Sequence, residues 1–225
     1  MTDETLIFRR CDLTDAPELL RVAQAAIATD TFYRQAFGFG PQDLDAYFRA
    51  YFRMVLTDPA AEVLALAAGE RLVSCAAVSY HGFPCPAAGE RFESDLHAAL
   101  AREQKESFAR FLAAYEELMT TPEAQARTEA QALWLFVEPA YRGAGLVAKM
   151  LRTWVKRCRP ASVQVLCGLV NTGAPDLIES YRRIGFSFDR TIQAGELRLS
   201  RFSLQLDAAH PSAAVTQAAH EHAKG

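Results

Sequence analysis

Short apolar runs alternate with longer stretches of helical spacing along most of this chain. The short runs predict seven strands, at residues 5–10, 61–68, 71–80, 130–137, 162–170, 187–192 and 197–206. Apolar residues that recur every three to four positions predict helices from the capping residues 12–16 to about residue 29, and at 43–56, 92–119, 147–158 and 175–184. This order of elements predicts a mixed α/β (α+β) fold.

The predicted domain covers residues 1–206 and contains one unusual segment. Between the third and fourth strands the alternation stops, because Gly82 and Pro84 break the chain and a long helical pattern follows. We interpret residues 83–128 as a helical insertion, and we expect substrate specificity to be determined there. Residues 207–225 are mostly alanine, histidine and polar residues without an apolar face, which predicts a flexible C-terminal tail.

The fourth strand leads into a turn that contains two glycines. The turn ends at Gly145, and the helix that follows carries Met150 and Trp154 on its apolar face. The N-terminus of a helix has unpaired N–H groups and about half a positive charge, and glycine lets a phosphate approach the backbone without a Cβ collision. The turn is therefore a candidate diphosphate site, although glycines after a strand are as often plain turn residues.

The turn and a second motif further along the chain resemble those of one family. The GCN5-related N-acetyltransferases (GNAT) carry Val-x-Pro-x-Tyr-Arg-Gly-x-Gly after a strand and Tyr-x-x-x-Gly-Phe downstream. The matching residues here are Val137, Pro139, Tyr141, Arg142, Gly143, Gly145, Tyr181, Gly185 and Phe186. The resemblance rests on residues 129–190. It implies that family's fold, a mixed and mostly antiparallel central sheet flanked by helices.

The resemblance also implies acetyl-coenzyme A (acetyl-CoA) as the cofactor. The residues that it assigns to cofactor binding are Phe136, Val137, Arg142, Gly143, Ala144, Gly145, Leu146, Val147 and Asn171. Backbone N–H groups near Phe136 and Val137 would donate to the thioester oxygen. The Arg142 guanidinium would either bind the phosphates or serve as a capping or salt-bridged residue.

Two positions depart from the family pattern. Val147 stands where the family usually has glycine or alanine, which would loosen helix packing near the pyrophosphate. Asn171 lies ten residues before Tyr181 rather than about seven. We therefore expect a short insertion in the loop that holds Asn171.

Acetyl transfer to an amine needs an acid for the departing thiolate and a way to deprotonate the incoming ammonium. The resemblance makes Tyr181 the acid; the alternative is a tyrosine that packs its helix against the sheet. Glu129 is the first candidate for the base, because some family members have a glutamate at this position, and the alternative is an exposed carboxylate at a strand entrance. Glu138 would face either solvent or the amine, and His81 is a further candidate whose alternative role is structural.

Composition narrows the classes of partner. With 225 residues, of which 50% are hydrophobic, the chain can bury one sizeable core. A net charge of −3 gives no reason to expect nucleic acid or a membrane, and no apolar run approaches the length of a membrane span. The five cysteines are scattered without a CxxC pair and the N-terminus is acidic, so we expect no metal and a cytoplasmic protein.

The hypothesis that covers both motifs is an acyl-CoA-dependent N-acyltransferase, which transfers acetyl to a primary amine of a small molecule by direct attack in a ternary complex. The alternative is a catalytically weak, CoA-binding regulatory module. Acidic residues of the insertion would favour a cationic acceptor, and the aromatic residues of segment 30–54 an apolar one. That aromatic segment is either core or a pocket wall, and exposed apolar surface on the insertion would allow a homodimer.

Overall fold

The structure, a computed structural model, describes residues 5–28, 32–121, 124, 127–173, 175–194 and 197–206, without the side chains of residues 176 and 194. The described strands are β1 (Leu6–Arg10), β2 (Ala61–Ala68), β3 (Arg71–Ser79), β4 (Glu129–Val137), β5 (Val165–Asn171), β6 (Ser187–Ala194) and β7 (Leu197–Gln205). The described α-helices are α1 (Ala16–Ile27), α2 (Phe32–Phe37), α3 (Pro41–Thr57), α4 (Pro86–Ala99), α5 (Arg102–Met119), α6 (Leu146–Arg157) and α7 (Pro175–Ile184). The predicted tail at 207–225 lies outside the described residues.

All seven strands belong to one sheet, in the order β1-β2-β3-β4-β5-β7-β6. Every neighbouring pair is antiparallel except β4 and β5, which are parallel. The structure therefore confirms the predicted mixed, mostly antiparallel sheet, with the helical insertion between the third and fourth strands.

The parallel pair β4–β5 is joined over a short distance only. Its four residue pairs extend along β4 from Glu129 to Ala132. Beyond these pairs β4 continues to Val137 and β5 to Asn171, and their described residues form no further pair with each other. The two strands therefore separate and leave a wedge in the middle of the sheet.

Helices cover both faces of this sheet. On one face α1, α3 and the two insertion helices pack against β2 to β4, in a core that includes Leu19, Phe48 and Trp134. On the other face α6 packs against the sheet through Trp154, close to Phe202 of β7. Burial of these apolar side chains is the main source of stability on both faces.

The helical pattern predicted as one element at residues 92–119 is two helices, α4 and α5. Between them Leu100 is in an extended conformation and buried in the core. The Gln104 side chain accepts a hydrogen bond from the Ala101 N–H (2.8 Å) and donates one to Asp43 at the start of α3 (2.8 Å). The break is therefore set by a side-chain cap that ties α5 to α3, and no proline or glycine marks it in the sequence.

Candidate active site

The turn after β4 is built around two glycines in the left-handed region. Gly143 has φ 79° and Gly145 has φ 69°, which side chains with a Cβ rarely adopt. A Cβ added to either residue would meet nothing within 4 Å. The glycines are therefore required by backbone conformation, and the space in front of the turn is open.

Backbone donors face this open space at the start of α6. The first hydrogen bond of the helix runs from the Lys149 N–H to the Gly145 carbonyl (3.0 Å), and the N–H groups of residues 146–148 have no acceptor among the described residues. The first helical turn contains no acidic residue. We call residues 142–148 the donor turn; its free N–H groups and the helix dipole fit a diphosphate group.

The side chains of the donor turn contribute less than its backbone. Leu146 is buried in the core and Val147 is half-buried, whereas Ala144 is exposed. Arg142 donates from Nη2 to the carbonyl of Ala26, near the C-terminal end of α1 (2.6 Å). The structure thus shows the capping role for Arg142, and its contact with a phosphate stays a prediction.

A cavity of about 1060 Å³ opens where β4 and β5 separate. It is lined by residues 131–136 of β4 and 169–171 of β5, together with α2 to α5 and α7. Phe136 lines it and stacks on Trp134 with ring centroids 5.2 Å apart, whereas Val137 packs against the core on the opposite face. Because the strands separate here, polar groups of their backbone edges are available to a ligand.

We call this cavity the aromatic chamber, because aromatic side chains dominate its wall. Thirteen of them line it: Phe32, Tyr33, Phe37, Tyr47, Tyr51, Phe83, Phe92, Phe108, Phe111, Tyr115, Trp134, Phe136 and Tyr181. The aromatic residues of segment 30–54 therefore divide between two roles. Five of the eight line the chamber, and Phe39, Phe48 and Phe52 belong to the core alone.

Tyr181 of α7 lies in the wall of the chamber. Its ring packs 4.9 Å from Phe202 and 5.4 Å from Phe186, centroid to centroid. Burial raises the pKa of Tyr181 to about 12, so the hydroxyl stays protonated near neutral pH. No described residue hydrogen-bonds to this hydroxyl, which leaves it available as a donor. Tyr181 therefore packs against the sheet and also faces the cavity.

Two residues that the sequence analysis missed hold Tyr181 in place. A Cβ added to Gly168 of β5 would lie 2.5 Å from Phe202 Cζ and 3.0 Å from the Ala132 carbonyl oxygen. Only glycine therefore lets the Phe202 ring lie against β5 where the wedge begins, and Tyr181 packs on that ring. A glycine inside a strand is the signal that could have indicated this close approach.

Glu129 is buried rather than exposed, so the expectation of an exposed carboxylate at a strand entrance is wrong. It is 4% exposed and does not line the chamber. Its Oε2 accepts from Arg201 (2.5 Å) and Thr121 (3.1 Å), and its Oε1 lies 2.8 Å from Cys167 Sγ. With both oxygens occupied, Glu129 is poorly placed to act as the base. It joins β4 to β5 and β7 at the closed end of the wedge.

Glu138 also differs from the expectation that it faces solvent or an amine. It is 3% exposed and is paired with Arg21 of α1 and with Arg71 of β3, the latter at 2.9 Å. This carboxylate holds the turn against α1 and β3. A carboxylate held by two arginines is a structural element rather than a free acid or base.

The carboxylate and imidazole side chains of the chamber lie at its rim. His81, Glu93 and Glu116 line the cavity and are exposed, and none of the three has a side-chain partner among the described residues. Asn171, the last residue of β5, also lines the chamber, and its Oδ1 accepts from the Gly173 N–H (2.9 Å). Its contact with a cofactor and the short insertion in its loop stay predictions.

Neither a metal site nor a membrane span is found in the described part of the chain. No three His, Cys, Asp or Glu side chains there lie close enough together to hold an ion. No helix among these residues combines the length and the apolar character needed to cross a bilayer.

No family model and no curated protein matches the sequence, but solved structures match the fold. A protein assigned to the GNAT family from Desulfovibrio desulfuricans is 16% identical, with TM-score 0.56, over 90% of this chain and 100% of that chain. The fold is that of the GNAT acetyltransferases. A Drosophila melanogaster polyamine N-acetyltransferase that forms N-acetylagmatine matches with TM-score 0.66 and 15% identity, over 90% of this chain and 100% of that one.

A third GNAT-like structure was solved with coenzyme A. It is the PaiA N-acetyltransferase from Thermoplasma acidophilum, 10% identical with TM-score 0.54, matched over 89% of this chain and 99% of that one. At 10–16% sequence identity, these three structures resemble this chain in fold. This likeness confirms the GNAT-like fold that the two motifs predicted.

Proposed function

We propose that this chain is an acyl-CoA-dependent N-acyltransferase that transfers acetyl from acetyl-CoA to a primary amine of a small molecule. The observation that carries the proposal is the wedge between β4 and β5. The strand that lines the wedge is followed by the donor turn, and Tyr181 lines the same cavity. The fold shared with GNAT acetyltransferases supports this assignment.

The residues present fit acetyl-CoA. The free N–H groups of the donor turn suit a diphosphate, and the open space before Gly143 and Gly145 lets it approach. The backbone at Phe136 and Val137 would hold the amide-bearing arm of the cofactor. The other residues predicted to bind the cofactor are Arg142, Ala144, Leu146, Val147 and Asn171. When bound, acetyl-CoA would supply an activated acetyl thioester.

Tyr181 is the proposed general acid. Its raised pKa keeps the proton on the hydroxyl across the physiological range, so the group can donate to a departing thiolate. The contact with Phe202 fixes the ring, which limits the orientations of the hydroxyl. The Tyr181 hydroxyl oxygen therefore holds the proton that is donated to the thiolate.

Deprotonation of the amine does not require a carboxylate inside the chamber. The described residues that supply acidic or imidazole groups, Glu93, Glu116 and His81, lie at the rim. An ammonium that enters an apolar cavity loses hydration, which lowers its pKa and favours the neutral amine. We propose that water carries the proton to the rim.

Direct attack is the mechanism that these residues favour. Among the described lining residues there is no cysteine or serine to form an acyl-enzyme. The hydroxyls of Thr120 and Thr121 donate to the Glu116 carbonyl oxygen (2.8 Å) and to Glu129 (3.1 Å). The amine would therefore attack the thioester carbonyl in a ternary complex.

The test is calorimetric titration with acetyl-CoA, followed by thiol release in the same preparation with a set of primary amines. Micromolar binding with amine-dependent release is expected. Binding without release from any amine would favour the CoA-binding regulatory module instead. An absence of binding would overturn the proposal.

A further inference from the structure

The wall of the aromatic chamber comes largely from α2 to α5. Its rings pack against one another, with centroids 4.9 Å apart for Phe37 and Phe111 and 5.9 Å for Tyr47 and Phe108. Such edge-to-face contacts hold each ring in one orientation. The wall is therefore formed before any ligand arrives, and a ligand need not order it.

Tyrosines are the most frequent hydrogen-bonding residues in the chamber wall, and each presents one hydroxyl beside the apolar surface of its ring. The Tyr115 hydroxyl already donates to Gln131 Oε1 (3.0 Å). The indole Nε1 of Trp134, another residue of the wall, is a buried donor with no partner among the described residues. A polar body would lose its hydration without regaining most of those hydrogen bonds.

Charge is distributed in a way that restricts the acceptor further. No lysine, arginine or aspartate is among the described lining residues, and the carboxylates of Glu93 and Glu116 lie at the exposed rim. The entrance therefore attracts cations and repels anions. A second ammonium inside would have no carboxylate to pair with, and burial of an unpaired charge is strongly unfavourable.

Exposed apolar side chains also line the mouth of the chamber. Leu112 of α5 and Leu177 of α7 both line the cavity and remain 44% and 40% exposed. Large exposed apolar side chains beside a cavity indicate contact with an apolar ligand. An acceptor that reaches the chamber would pass these side chains.

We infer that the acceptor is a primary amine with one positive charge and an apolar body. The inference rests on the proposed function and names its substrate class. The aromatic chamber binds the apolar body, the rim carboxylates attract the ammonium, and the wedge receives the nitrogen. Diamines, polyamines, amino acids and peptide N-termini are poorer acceptors.

The test compares kcat/KM for matched amines at saturating acetyl-CoA, measured by thiol release. Each buried methylene is worth about fourfold, so activity should rise from ethylamine to pentylamine and further to 2-phenylethylamine. Putrescine has a second ammonium where pentylamine has its terminal methyl. It should be about tenfold or more worse than pentylamine, because that charge would be buried unpaired.

Several outcomes would overturn the inference while the proposed function stands. The first is an equal kcat/KM for all the amines, and the second is a higher kcat/KM for putrescine or a peptide N-terminus than for pentylamine. The third is a much higher kcat/KM for ethylamine with hexanoyl-CoA than with acetyl-CoA, which would assign the chamber to the acyl chain. Release with none of the amines would overturn both the inference and the proposed function.

A pair of variants tests the wall itself. Phe111→Leu changes a ring that lines the chamber, and Phe39→Leu changes a ring of the same cluster that does not line it. Phe111→Leu should lower the ratio of kcat/KM for 2-phenylethylamine to that for ethylamine by about tenfold. Phe39→Leu should leave the ratio unchanged, even if it lowers stability. Equal ratios in the two variants would overturn the assignment of the wall to substrate binding.

Discussion

The aromatic chamber is lined by β4 and the donor turn follows that strand, but the two regions are built in different ways. The donor turn presents backbone N–H groups, and its two glycines allow a ligand to approach closely. The chamber is lined by residues from five helices and two strands, and aromatic side chains dominate its wall. One region suits a charged group and the other an apolar one.

Under the proposed function, this difference separates recognition of the cofactor from recognition of the acceptor. A diphosphate can be bound by a short local segment, because helix geometry alone aligns its donors. An apolar acceptor requires a wall assembled from distant segments, because each ring covers only a small area. The insertion helices α4 and α5 can therefore change the acceptor without altering the cofactor side.

The largest effect is expected at the closed end of the wedge. Glu129→Gln would leave the buried Arg201 without one of its two carboxylate partners. The free energy of unfolding should fall by about 3 kcal/mol, and the midpoint of thermal unfolding by about 6–12 °C. Thermal denaturation followed by circular dichroism checks this.

Glu116→Gln is the matched control, since its carboxylate is exposed at the rim and has no ion pair among the described residues. It should leave the unfolding midpoint unchanged. If Glu129→Gln kept native stability but lost turnover, Glu129 would be the base and its structural role would be wrong.

Tyr181→Phe tests the wall residue that is the proposed general acid. Turnover should fall about a hundredfold, while the dissociation constant of acetyl-CoA stays near the wild-type value. Because the Tyr181 pKa is raised, ionisation of the hydroxyl should not affect the rate at any pH below about 10. A rise in rate with pH would report amine deprotonation, and it should persist in the variant. Wild-type turnover would remove Tyr181 from the mechanism.

A comparison of Gly145→Ala with Gly38→Ala distinguishes the effect of backbone strain from the effect of blocking a ligand. The two glycines have nearly equal φ values, 69° and 68°, and neither Cβ would meet an atom within 4 Å. Both variants should lose stability by about 1–2 kcal/mol. Only Gly145→Ala should weaken acetyl-CoA binding, by about tenfold, because its methyl occupies the space before the donor turn. Equal affinities in a calorimetric titration would count against the turn as the cofactor site.

The smallest effect is expected at the rim. The double variant Glu93→Gln/Glu116→Gln should lower kcat/KM for a cationic amine about threefold at low ionic strength. The difference should disappear near 0.5 M salt, because exposed charges are then screened. A decrease that is independent of salt would mean that these carboxylates contact the bound amine.

The donor turn could be predicted from the sequence because its parts lie close together along the chain. Gly143, Gly145 and the first turn of α6 act on one another through local geometry. The same holds for most element boundaries, which depend on residues within a few positions. The structure changes the interpretation where distant contacts contribute, as with the hydrogen bond from Gln104 to Asp43, 61 positions away, beside the break in the insertion helix.

The buried glutamates show why the rest could not be predicted. Glu129 is paired with Arg201, 72 positions away, and Glu138 with Arg21, 117 positions away. Periodicity places each glutamate at an end of β4 but cannot show which side chain lies opposite. The position of Phe111 in the chamber wall depends in the same way on how α5 packs against α2.

The short β4–β5 ladder suggests a use for the protein as a split reporter. A cut between α6 and β5 would place the donor turn and β4 in one fragment and Asn171 and Tyr181 in the other. Four residue pairs, the Glu129–Arg201 ion pair and the apolar face of α6 would then hold the fragments together. Because each fragment would carry part of the site, thiol release from the co-expressed pair would measure their association.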